Sequence, residues 1–171
     1  MEDFVIVPLI EDIEITDEEN SLRAYWASYA SVPMMDDGVI TWYKKKNGKF
    51  LNRVFERLEK DTGLNFQRVY EKDEAEIINK RVKRWQDETW SNYRGVAQWK
   101  RDTSQWTLST MRGIKNARST MVHELGHALG LSHPENHWNE RDTIMSYYRD
   151  KSNRYFYTKD IDNLTGLYHP G

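Results

Sequence analysis

One run constrains this chain more than any other: His123-Glu124-Leu125-Gly126-His127-Ala128-Leu129-Gly130-Leu131-Ser132-His133. His123 and His127 stand four positions apart. On an α-helix that spacing puts both rings on one face, one turn apart, within reach of a common ion. Glu124 lies beside them and can reach a water on that ion. Gly130 can take a left-handed backbone at little steric cost, so it can end the helix and turn the chain back. His133 then arrives from outside the helix as a third ligand. Three protein nitrogens leave a fourth tetrahedral position open for water, which separates a catalytic zinc site from a closed structural one. The run therefore predicts one catalytic zinc ion on His123, His127 and His133, with Glu124 as the general base. The helix is expected to start at a cap on Asn116 or Ser119 and to run to about Leu129.

The pattern H-E-x-x-H-x-x-G-x-x-H matches the metzincin signature. Thr143-Ile144-Met145-Ser146-Tyr147 follows closely and supplies the methionine that the clan carries in a turn below its metal. The chain thus resembles a metzincin-clan zinc metalloprotease over residues 38–171. Pro134 and Met145-Ser146-Tyr147 are similar to serralysins, while the size and the layout before the motif resemble matrixin catalytic domains equally well. The resemblance implies an α+β fold: a mixed twisted sheet of about five strands, an active-site helix and a C-terminal helix. It also implies an upper subdomain to about residue 133 and a lower one over 134–171. By the same resemblance, Met145 is an apolar floor beneath the imidazoles rather than a ligand. The Tyr147 hydroxyl would bind zinc at rest and swing to the oxyanion in catalysis; a tyrosine that merely lines the cleft is the alternative. A zinc-dependent endopeptidase is the leading expectation, and retention of Glu124 supports it. The reading from another class is a catalytically inactive, zinc-stabilised module that only holds a peptide.

At 171 residues the chain is long enough for one domain with a core. Its net charge of −2 offers no basic footprint for nucleic acid. No apolar run approaches the length that crosses a bilayer, and the acidic start Met1-Glu2-Asp3-Phe4 lacks the features of a signal peptide. A soluble monomer is expected, with secretion implied only by the family likeness. The chain has no cysteine, so it forms no disulfide and lacks the thiolate latch of matrixin zymogens. His137 reads as a loop residue and His169 as a solvated tail residue, which leaves no ligands for a second, structural zinc. Calcium is supported by no compact oxygen-ligand loop.

Residues 1–37 read as an N-terminal extension or pro-segment, with a short strand at Phe4–Pro8, a helix from Asn20 to Ala30, and a turn at Asp36-Asp37. From Gly38 the pattern becomes regular. A strand holds Val39, Ile40 and Trp42. A helix follows Asn47-Gly48, with Phe50, Leu51, Val54, Phe55 and Leu58 at helical spacing, and Asp61-Thr62-Gly63 closes it. Strands are expected over Leu64–Tyr70, Ala75–Lys80, Gly95–Trp99 and Gln105–Met111, with a loop over Trp85–Tyr93. Thr158 is expected to cap a final helix that carries Ile161, Leu164 and Leu167 on one face. By resemblance, the strand over Gly95–Trp99 is the edge above the cleft, where an extended polypeptide substrate pairs through main-chain hydrogen bonds. The aromatic stretch with Tyr147, Tyr148, Tyr155, Phe156 and Tyr157 would wall the pocket on the leaving-group side.

Overall fold

The computed structural model describes residues 9–10, 38–83, 94–100, 103–131, 133–134, 141–146 and 149–169. The strand expected at Phe4–Pro8, the helix expected from Asn20, the Asp36-Asp37 turn, the loop after Trp85, and His137 and Tyr147 lie outside those residues. The strands are β1 (Leu9–Ile10), β2 (Ile40–Lys44), β3 (Phe66–Arg68), β4 (Ile77–Val82), β5 (Gly95–Lys100) and β6 (Gln105–Met111). The helices are α1 (Lys49–Thr62), α2 (Ala117–Ala128) and α3 (Thr158–Tyr168).

The apolar spacing of α1 does what it predicts. Leu51, Val54, Phe55 and Leu58 are buried, and each such side chain contributes about 1.5–3 kcal/mol by leaving water. Phe55 stacks on Trp42 of β2 at 4.6 Å and meets Phe66 of β3 at 4.7 Å. One helix thus glues together the two parallel strands it connects. The strand expected over Leu64–Tyr70 shortens to Phe66–Arg68, because the Leu64 N–H is still held by Thr62 Oγ1 at the helix end.

The sheet order is β1-β5-β6-β4-β2-β3. β3, β2, β4 and β6 run parallel, and β5 pairs antiparallel with β6. Successive side chains alternate between faces. Trp42, Ile77, Trp106 and Leu108 point to the main core with the helices, while Ile78 packs with Val69 and Ala75 in a separate cluster. The five expected strands form a mixed sheet, and β1 is added as a sixth. This corrects one expectation. The strand over Gly95–Trp99 is not a bare edge, because Leu9 pairs with Ala97 and Ile10 with Val96, antiparallel. An edge strand exposes unpaired main-chain groups, and the chain's own N-terminal part satisfies some of them here.

α2 lies against β5 and β6. Every residue from Ser119 to Ala128 is buried, as expected of a helix covered on all sides. α3 packs on α1, its Leu164 is fully buried in the shared core, and Tyr168 donates its hydroxyl to Leu129 O at 2.9 Å, tying α3 to the end of α2. Asn116 does precede α2, but with φ 60° and no side-chain cap; Ser119 lies inside the helix. Thr158 begins α3 rather than capping it, and Asp160 instead accepts the N–H of Tyr157, the residue before the helix. No helix among the described residues is long and apolar enough to cross a membrane.

Candidate metal centre

The end of α2 brings the third histidine back. Gly130 has φ 110°, a conformation open to glycine at little cost. Its N–H donates to His127 O at 3.0 Å, and the N–H of Leu131 donates to Gly126 O at 2.9 Å. This nested pair is a Schellman end. It turns Leu131 O toward the helix, where it lies 2.9 Å from His127 Nδ1. On the other side Ile144 O lies 2.7 Å from His123 Nδ1. A carbonyl only accepts, so both Nδ1 atoms carry the proton and both Nε2 atoms present lone pairs.

Those two Nε2 atoms are 3.2 Å apart. Two nitrogens bound tetrahedrally to zinc at about 2.0–2.1 Å lie roughly 3.3–3.4 Å apart. The His133 ring is 5.4 Å from that of His123 and 4.7 Å from that of His127. One ligand atom from each of the three falls within 4.8 Å of the others, and all three residues are buried. Lone pairs converging in a buried site call for a cation, and the donor set fits one with an open coordination position. The three imidazoles can hold a metal ion.

Met145 is 2 % exposed. A Cβ placed on Gly126 would lie 2.5 Å from Met145 Sδ. Glycine between the two helical histidines therefore lets the turn press against the helix directly beneath the site. Asp160 fixes that turn from α3. It accepts hydrogen bonds from the Thr143 hydroxyl, from Ile144 N–H at 2.8 Å and from Tyr157 N–H at 2.9 Å. Thr143 Oγ1 in turn accepts Met145 N–H at 3.1 Å. Burial pushes the Asp160 carboxyl above its ordinary value, while the three hydrogen bonds pull the other way.

Glu124 is fully buried, one position after His123. Its Cγ and Thr120 Cγ2 pack against Gly95, the first residue of β5. The carboxylate-bearing side chain thus stands between the metal-binding face and the strand expected to hold substrate. A cavity of about 430 Å³ opens beside His133, lined among others by Pro134, Met145, Asn163 and Leu167. Its described wall comes from α3, from the turn after α2 and from the methionine turn, and Tyr155, Phe156 and Tyr157 of the aromatic stretch do not line it. Tyr155 and Phe156 belong to the core: Tyr155 donates its hydroxyl to Asp61 of α1 at 2.8 Å, and Phe156 lies against Gly126. His169 also has a partner, since its Nε2 lies 2.9 Å from Thr62 O at the end of α1.

Arg149 is a residue that spacing did not single out. It is 3 % exposed. Its Nε–H donates to Ser119 Oγ at 3.0 Å, and Nη1 donates to Ser146 O at 3.0 Å. One guanidinium thus joins α2 to the methionine turn. Nη1 also comes within 3.4 Å of His123 Nδ1. That nitrogen's proton already goes to Ile144 O, so this approach confines the ring rather than bonding it. Groups that orient metal ligands typically change affinity about 10–100-fold when removed. Arg149→Met is therefore expected to weaken zinc binding by that factor, read by competition with a chromophoric chelator, with Arg149→Lys intermediate because an ammonium cannot reproduce the fork. Unchanged affinity in both variants would reduce Arg149 to packing.

The buried trio, the glycine-terminated helix and the methionine turn define a metzincin-type catalytic domain. Residues 85–169 match the family model of the matrixins, peptidase family M10, which supports a matrixin-type domain there. Comparison with curated proteins gives no match.

Proposed function

We propose that this chain is a zinc-dependent endopeptidase that cleaves extended polypeptides. The observation that carries the reading is the pair of Nε2 lone pairs turned toward each other at 3.2 Å, with buried Glu124 next in sequence to His123. A zinc ion held by His123, His127 and His133 would supply a Lewis acid and a water whose pKa is lowered to about 7. Glu124 accepts the proton of the attacking water and later delivers it to the departing amine. The Tyr147 hydroxyl, two residues past Met145, donates to the oxyanion of the tetrahedral intermediate. Met145 keeps the floor apolar. The substrate pairs with β5, so at Val96 and Ala97 it competes with Leu9–Ile10 for the same main-chain groups.

Metal analysis combined with a peptide-library digest tests this. We expect one zinc per chain, cleavage that stops with a chelator, and recovery on adding zinc back. Zinc bound stoichiometrically with no peptide cleaved would favour the peptide-holding module instead.

A further inference from the structure

Four cations gather at the C-terminal ends of the parallel strands. Lys44 ends β2, Arg68 ends β3, Arg81 stands just before the end of β4, and Arg112 follows β6. The register brings them together. Trp42 lies opposite Arg68, Lys44 opposite Asn79, and Arg81 opposite Thr110, two residues before Arg112. Alternation puts Lys44, Arg81 and Arg112 on the helix-bearing face with Trp42, Ile77 and Trp106, and the Arg68 guanidinium lies 5.2 Å from the centre of the Trp42 ring.

Their acceptors are few. Lys44 is only 8 % exposed, and its ammonium donates to Lys46 O at 2.7 Å. Arg68 reaches Lys44 O at 3.3 Å, and Arg81 reaches Met111 O at 3.5 Å. Arg68 Nε and Arg81 Nε are buried and find no acceptor. None of the four has a carboxylate partner among the described residues. Burial lowers the Lys44 ammonium below its ordinary value, and Arg81, Arg112 and Arg68 push it the same way.

Two helices begin at this same end, because α1 follows β2 and α2 follows β6. Neither start has a side-chain cap or an acid in its first turn. Arg118 of α2 lies 5.1 Å from the centre of the Phe50 ring of α1, joining the two starts. The Arg68 guanidinium lies against Gly48, just before α1. A cation at a helix N-terminus meets the positive end of the dipole, which is the wrong sign unless an anion lies between them.

We propose that this end of the sheet binds a multiply charged oxyanion of the phosphate or sulfate type among Lys44, Arg68, Arg81 and Arg112. The guanidinium forks match such oxygens two at a time, and the free N–H groups of two helix starts add to them. The site is distinct from the metal centre: His123 lies six residues beyond the first residue of α2, about 9 Å along the axis.

Calorimetric titration of the full chain with inorganic phosphate, pyrophosphate and a phosphoserine peptide tests this, against sodium chloride at equal ionic strength. We expect saturable binding of one oxyanion per chain, tighter for pyrophosphate than for phosphate. The double variant Arg81→Gln, Arg112→Gln should bind at least tenfold more weakly. With like charges removed, it should also melt higher than the parent in low salt without phosphate, which separates lost binding from lost folding. Saturation by the inorganic ions identifies a free oxyanion; saturation by the peptide alone means that the group arrives on a polypeptide. Heats that chloride reproduces, or equal binding by the double variant, overturn the proposal.

Discussion

Glu124→Gln is expected to retain one zinc per chain and to lose roughly 10²–10⁴-fold in kcat, the range that a positioned proton-transfer group contributes. Glutamine has nearly the same shape, so the fully buried position beside Gly95 stays filled. The imidazoles and their carbonyl partners are untouched, so metal affinity should hold within a few-fold. What disappears is a group able to take a proton from water and return it to an amine. KM should change little, because Glu124 acts on the water rather than on the peptide. The measurements are kcat and KM on one cleaved peptide, with zinc content determined on the same sample. Parent-like turnover in a zinc-loaded variant would remove Glu124 from the mechanism.

Local patterns in the sequence were legible where a single element decides them. α1 could be read from Leu51, Val54, Phe55 and Leu58 because one face is buried and the other is wet. The five main strands followed from alternation and turn residues. α2 could not be read that way: residues Ser119 to Ala128 are buried on every side, so no apolar stripe contrasts with a polar one. Only its histidine spacing marked it. β1 was illegible for another reason. Two residues carry almost no pattern, and their pairing with Val96 and Ala97 depends on where the rest of the sheet puts β5.

The same division runs through the site. His123, His127 and the Gly130 turn are local in sequence, and the structure brings them together with His133. What orients them is distant: Ile144 O is 21 residues from His123, and Arg149 is 26. A backbone carbonyl has no residue signature. The stretch after Met145 drew attention for its aromatics, yet its buried cation holds the helix to the turn. The four strand-end cations were equally unreadable as a group, because each is an ordinary basic residue until the register aligns them.

Asp160 shows how much of the metal site rests on such distant support. Asp160→Leu has a similar volume but accepts nothing. It would strand the Thr143 hydroxyl and the N–H groups of Ile144 and Tyr157 in a region where Asp160 is 1 % exposed. A buried donor left unmatched costs about 1–3 kcal/mol, so with three stranded the variant should lose roughly 3–9 kcal/mol of the 5–15 kcal/mol typical of a folded domain. Asp160→Asn can still present one oxygen to the two N–H groups and should lose only about 1–2 kcal/mol. Denaturant midpoints on the metal-free chain rank the two. Zinc affinity should fall in the same order, because Thr143 Oγ1 carries Met145 N–H and Ile144 O holds the His123 ring. If the leucine variant unfolds at the parent's midpoint, the turn is held by its own packing and Asp160 only caps α3; if stability falls while zinc affinity does not, the carboxylate supports the fold without reaching the metal.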